Sequence, residues 1–161
     1  MAERSIANFQ NSDFRNPDFS ILDFLKTFGI GTTTNFHLYR IAKMLGLDIK
    51  VLMRNELDEY LKSDTFRPEV PPIPIIFNYQ TATQKGTHWL LYWNGLYFDS
   101  FGLPPIKELE GVVKEYNEVQ VQPFGSRICG QLCLYVLYKL ENGSDFDDII
   151  FELFETFKGM L

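Results

Sequence analysis

Only Asn94 and Gly95 separate two aromatic-rich runs, 88–93 (His-Trp-Leu-Leu-Tyr-Trp) and 96–101 (Leu-Tyr-Phe-Asp-Ser-Phe). Few dipeptides restrict a chain so tightly. A two-residue type I′ turn needs φ > 0 at both central positions, and Asn-Gly meets that demand best. Aromatic residues in the flanks favour strands. The runs therefore predict a β-hairpin in which Trp93 faces Leu96, Tyr92 faces Tyr97, Leu91 faces Phe98 and Leu90 faces Asp99. Alternation puts His88, Leu90 and Tyr92 on one face with Tyr97, Asp99 and Phe101. His88 and Asp99 then become diagonal neighbours with Cβ atoms within about 7–8 Å, a gap that two side chains close. Taken alone, this pair is explained as well by a sheet histidine and an aspartate that starts the turn Asp99-Ser100-Phe101-Gly102.

Cys129 changes that balance. The segment from Gln122 to Ile128 carries Pro123 and Gly125 and predicts a loop. Beyond it, Cys129, Leu132, Cys133, Val136, Leu137 and Leu140 recur at spacings of three and four, which predicts a buried helix over 129–140. Cys129 thus stands at a helix N-terminus, where free backbone N–H groups and the macrodipole stabilise a thiolate. Gly130 carries no side chain to obstruct a substrate there, and a bend in the loop would bring the NH2 group of Gln122, seven residues upstream, near the Cys129 amide. Two donors aimed at one point make an oxyanion hole. Histidine, acid, amide and cysteine are together the parts of a cysteine hydrolase. Against this stand plainer roles: Cys129 as a small hydrophobe in a core helix, and Gln122 as the end of a strand over 119–122.

The rest of the chain sets bounds. With 161 residues, 45% hydrophobic, it has material for a single domain with one core. Fifteen phenylalanines argue against disorder. The first residues show no apolar signal-like region and no run approaches membrane-spanning length, which predicts a soluble protein with no membrane partner. Two cysteines and two histidines, dispersed along the chain, are too few for a zinc site, so neither metal nor cofactor is expected. Cys133, one turn below Cys129, is read as packing. His37, amid Phe36, Leu38 and Tyr39, has no carboxylate at strand spacing and is read as a packing or surface residue. Glu141, Asp145, Asp147, Asp148, Glu152 and Glu155 are read as a solvated helical face.

The fold class expected is α+β: a central, mostly antiparallel sheet packed on one side by the cysteine helix, with a helical N-terminal cap. The cap presents Phe19, Leu22, Phe24, Leu25 and Phe28 and ends at Gly29 to Gly31. Thr34 or Asn35 caps a second helix over 36–45, closed by Gly46. A strand over 49–53, a helix over 56–62, a proline-rich extended passage over 66–74 and a strand over 75–79 follow. A helix over 106–116, a strand over 119–122 and a final helix over 145–158, capped by Ser144, complete the expectation.

The stretches Gly86-Thr87-His88-Trp89, Phe98-Asp99-Ser100-Phe101-Gly102 and Gln122-x-x-x-Ser126-x-x-Cys129-Gly130 together resemble the adenovirus-type maturation proteases (adenain). They are similar also to relatives in Polinton-type elements and virophages and, more distantly, to the SUMO-specific proteases. The likeness covers residues 86–138 well and the first half loosely. It implies His88 as base, Asp99 as orienting acid, Gln122 in the oxyanion hole and Cys129 as nucleophile. The interval from His88 to Asp99 is short, consistent with a tight hairpin, and an Asp stands where the adenovirus enzyme has Glu, as in the SUMO proteases. The expected function is a cysteine endopeptidase that matures viral capsid or mobile-element precursors in a host cytoplasm or virion, cutting after Gly-Gly or Gly-x. Trp89 and Gly130 are expected at the substrate cleft, although strand alternation puts Trp89 on the face opposite His88, where a core role is the plainer reading. Removal of a ubiquitin-like modifier, and an idle capsid or partner-binding role, are the alternatives. The likeness also implies a DNA cofactor, with Arg40, Lys43, Lys50 and Arg54 as the available patch. The net charge of −6 argues against it, because nonspecific DNA binding rests on phosphate neutralisation.

Overall fold

The computed structural model describes residues 19–63, 73–83 and 88–161. At its centre is the expected hairpin. Strands β3 (Trp89–Trp93) and β4 (Leu96–Phe98) pair Trp93 with Leu96, Tyr92 with Tyr97 and Leu91 with Phe98. The turn places Asn94 at φ 50° and Gly95 at φ 87°, the left-handed pair that selects Asn-Gly. A strand at Ile75–Asn78 (β2) runs antiparallel to β3 from Asn78 opposite Trp89 to Ile75 opposite Tyr92. Outside these three, Lys50–Leu52 (β1) lies parallel to β2 and Glu115–Tyr116 (β5) parallel to β4, giving the order β1-β2-β3-β4-β5. The centre of the sheet is antiparallel and its two edges are parallel, so the α+β sheet is mixed. Each parallel pairing needs a crossover connection; for β1 to β2 it contains the helix Arg54–Leu61 (α3).

Both faces of the sheet are buried, each by a different part of the chain. On one face Ile76, Trp89, Leu91 and Phe98 meet the helix that begins at the cysteine, Cys129–Glu141 (α4). Helices Ile21–Phe28 (α1), Asn35–Met44 (α2) and Phe146–Phe157 (α5) close around α4, which leaves ten of its residues buried. On the other face Ile75, Phe77, Leu90, Tyr92 and Tyr97 pack with Leu57 of α3 and with Ile106 and Leu109. Each fully buried large apolar side chain contributes about 1.5–3 kcal/mol. With both faces dry, β3 reads as a continuous apolar run rather than an alternating one.

Local chemistry sets the helix starts. Ser20 caps α1 by accepting from the Asp23 N–H at 3.3 Å, while the Asp23 carboxylate accepts from the Ser20 N–H at 3.1 Å. Thr34, one of the two residues expected, caps α2. His37 completes that cap: its Nδ1 accepts from the Thr34 N–H at 3.2 Å, which gives this histidine a structural task. Asp145, rather than Ser144, caps α5 by accepting from the Asp147 N–H at 2.9 Å. Glu152, in the acidic set, accepts from the Tyr135 hydroxyl instead of being simply solvated.

Two elements differ from expectation. The helix over 106–116 is a single 3-10 turn, Lys107–Leu109, followed by β5. Gly111 and the β-branched Val112 and Val113 lie where that helix would have to continue, and both valines pack against the second core. The strand over 119–122 is irregular; instead the Val121 and Gln122 N–H groups both donate to the Ser100 carbonyl, at 2.8 and 3.1 Å. Most of the proline-rich passage, the start of the N-terminal cap, Gly86 and Thr87 lie outside the described residues. Among the described residues no helix is long and apolar enough to cross a membrane.

Candidate active site

β3 begins one residue after His88, and β4 ends one residue before Asp99. The two side chains therefore leave the sheet at the same end of the hairpin, freed from strict alternation. His88 Nε2 meets Asp99 Oδ1 at 2.8 Å. Helix α4 points its first residue at that corner. The Trp89 N–H donates to Cys129 Sγ at 3.5 Å, which places the sulfur next to His88.

Electrostatics follow from this placement. The His88 side chain is only 14% exposed. Burial alone lowers its pKa, but hydrogen bonds with Asp99 and Cys129, and the charges on both, outweigh it and raise the value from 6.5 to about 9. With its pKa raised in this way, the imidazole favours its protonated form at neutral pH, held against the Asp99 carboxylate. Cys133 is fully buried, and desolvation pushes its thiol well above the ordinary value.

The acid is clamped by residues that sequence reasoning missed. Asp99 Oδ1 also accepts from the Phe101 N–H at 2.8 Å. Buried Asn117 holds the Asp99 backbone from both sides: Oδ1 accepts the Asp99 N–H at 3.1 Å, and Nδ2 donates to the Asp99 carbonyl at 2.6 Å. Nothing in Tyr116-Asn117-Glu118 signals this, because the contact spans eighteen residues. Ser100, the neighbour of Asp99, is fully buried, and its hydroxyl donates to Gln122 Oε1 at 2.5 Å.

Gln122 is itself almost fully buried, with one N–H of its NH2 group donating to the Ser126 carbonyl at 3.0 Å. An amide NH2 carries two such groups. The turn that follows is closed by the Ser126 N–H and Oγ, both donating to the Pro123 carbonyl at 3.2 and 2.7 Å. It delivers the chain to Ile128, which precedes α4 without offering a side-chain cap. Among the described residues no side chain caps the first turn of α4, where Cys129 stands.

Trp89 and Gly130, the two residues expected at a cleft, lie against the core on the α4 side of the sheet. The Trp89 ring lies in that core, and its Nε1 donates to the Thr33 carbonyl at 3.0 Å. A Cβ on Gly130 would stand 2.1 Å from Thr33 Oγ1 and 3.2 Å from Trp89 Cδ1. Glycine here lets the segment after α1 approach the start of α4. That segment is anchored by Gln131, whose Nε2 donates to the carbonyls of Gly29 and Gly31 at 3.2 and 2.8 Å.

The basic patch is also reduced. Arg54 forms a two-point ion pair with Glu108, Nε to Oε2 at 2.6 Å and Nη2 to Oε1 at 3.0 Å. Lys50 lies over the Tyr60 ring, 4.8 Å from its centre. Among the described residues no three metal-ligating side chains converge. The chain matches no protein-family model, no curated protein and no solved structure.

Proposed function

We propose that the chain is a cysteine endopeptidase of the adenovirus maturation type, acting on viral or mobile-element precursor proteins. One observation carries this reading: His88 is hydrogen-bonded to Asp99, and the Trp89 N–H next to it donates to the sulfur of Cys129, the first residue of a helix with no side-chain cap. In the mechanism, the Cys129 thiolate attacks a peptide carbonyl carbon, forming a C–S bond and an oxyanion. The α4 amides and the Gln122 NH2 group stabilise that oxyanion. The C–N bond then breaks as protonated His88 gives its proton to the departing amine. Water next attacks the thioester, His88 takes its proton, and the C–S bond breaks to restore the thiolate. Asp99 keeps the imidazole oriented throughout.

Preference for Gly-Gly or Gly-x before the scissile bond stays part of this proposal. Phe101 and Phe124 supply the bulky flanks that favour it; Trp89, turned into the core, does not. The deciding experiment incubates the wild-type chain, Cys129→Ala and His88→Ala with candidate capsid precursors and, separately, with ubiquitin-like-modifier conjugates. Cleavage of precursors by wild type alone supports the proposal. Cleavage confined to conjugates replaces it with deconjugation, and undiminished cleavage by Cys129→Ala removes the mechanism.

A further inference from the structure

Three rings stack in a row that begins at the His88 imidazole. Phe101 lies against the His88 imidazole with centroids 4.8 Å apart and planes 29° apart. Phe124 lies against Phe101 at 6.0 Å and 15°. Phe101 comes from the turn that carries the acid, and Phe124 from the turn between Gln122 and Cys129. Phe124 is 74% exposed, although a ring of that size would ordinarily be buried. Two segments of the candidate site thus meet through an aromatic ledge whose outer part is open to solvent.

The chemistry says which part of a substrate crosses this ledge. His88 must come within hydrogen-bond reach of the departing amine nitrogen, so the chain beginning at that nitrogen starts beside the imidazole. An extended peptide advances about 3.4 Å per residue. Ring spacings of 4.8 and 6.0 Å therefore put Phe124 in reach of the second or third residue after the scissile bond. An aromatic or large aliphatic side chain at that position would lie on the ring face and remove it from water.

We infer that Phe101 and Phe124 form a leaving-side subsite, selecting an aromatic or large apolar residue at the second or third position after the cut bond. The inference rests on the protease reading above and adds a requirement on the other side of the scissile bond from the glycine preference.

The test is a peptide library with a fixed Gly-Gly acyl side and varied leaving side, digested by the full chain and read by mass spectrometry. Then kcat/KM is measured for peptide pairs that differ only in Phe against Gly at the second or the third position. Wild type should favour Phe by about tenfold at one of them. Phe124→Ala should bring that ratio near one, and Phe124→Trp should keep it. A ratio near one in wild type at both positions, or a preference unchanged in Phe124→Ala, overturns the subsite and leaves the protease reading standing. A library left uncut by wild type overturns both.

Discussion

Ser100 donates its hydroxyl to Gln122 Oε1 at 2.5 Å, joining the turn that carries the acid to the residue assigned to the oxyanion. The same serine accepts the Val121 and Gln122 N–H groups at its carbonyl. One buried residue thus sets both the backbone and the side chain of Gln122. Ser100→Ala leaves Gln122 Oε1 without this donor, which should lower stability by about 1–3 kcal/mol. It should also lower kcat by roughly tenfold with little change in KM, because a loosened oxyanion donor is felt in the transition state. Gln122→Ala should lower kcat by about 10²–10³. Steady-state kinetics and urea titration measure both variants. A defect confined to KM would make Gln122 a substrate contact.

Thiol chemistry separates the two cysteines. Cys133 is fully buried with its thiol pushed up, whereas Cys129, though also buried, stands at a helix start beside the Trp89 N–H. Iodoacetamide at neutral pH should label Cys129 at least tenfold faster than Cys133, as read by peptide mass spectrometry. His88→Ala should slow that labelling. Equal labelling of both thiols in the folded chain would contradict the arrangement.

The hairpin and the helix start were legible because each rests on local signals. Asn94-Gly95 fixes the register, which brings the ends of β3 and β4 together so that His88 and Asp99, one residue beyond each, meet. Spacings of three and four mark α4, and the break before it puts Cys129 first. Other contacts were beyond the sequence because they join distant segments. Asn117 reaches Asp99, Thr33 fills the space beside Gly130, and Gln131 reaches back about a hundred residues to Gly31. No periodicity encodes such pairings. The helix over 106–116 failed for a different reason: its apolar residues satisfy helical spacing, but Val112 and Val113 pack best where a single turn hands over to β5.

Gly130 gives a steric prediction. Gly130→Ala drives a methyl group to 2.1 Å from Thr33 Oγ1, so it should cost about 1–3 kcal/mol and slow Cys129 alkylation by shifting the first turn of α4. Adding Thr33→Ala removes the nearest clashing atom. The double variant should regain part of the loss, while the remaining close contacts with Leu38 and Trp89 keep it short of wild type. Denaturant midpoints of the four proteins measure the coupling. Strict additivity would show that Thr33 is not the obstacle.

Charge argues against activation by DNA. The chain carries −6, and Arg54, one of the four patch residues, is already paired with Glu108. Duplex DNA should change the cleavage rate less than twofold at about 0.1 M salt, with no steep salt dependence. A large activation that disappears on raising the salt would place a phosphate-binding surface on this chain.

The pH dependence follows from His88. Its pKa is raised from 6.5 to about 9, so the folded chain holds this proton more tightly than the unfolded chain. The resulting stability is fully present below pH 6.5 and is lost as pH rises through about 9. At 1.36 kcal/mol per unit, the contribution is about 3 kcal/mol. Urea titrations at pH 6, 8 and 10 should show a progressive fall that Asp99→Asn flattens, because the neutral amide no longer favours the protonated ring. The imidazole Hε1 resonance lost in His88→Ala should titrate near pH 9 in wild type. Cys129→Ala should move that titration down, since the ring loses one of its two partners while keeping Asp99. A wild-type midpoint near 6.5 would mean that His88 does not share its proton with Asp99 and Cys129, and the arrangement proposed for catalysis would have to be withdrawn.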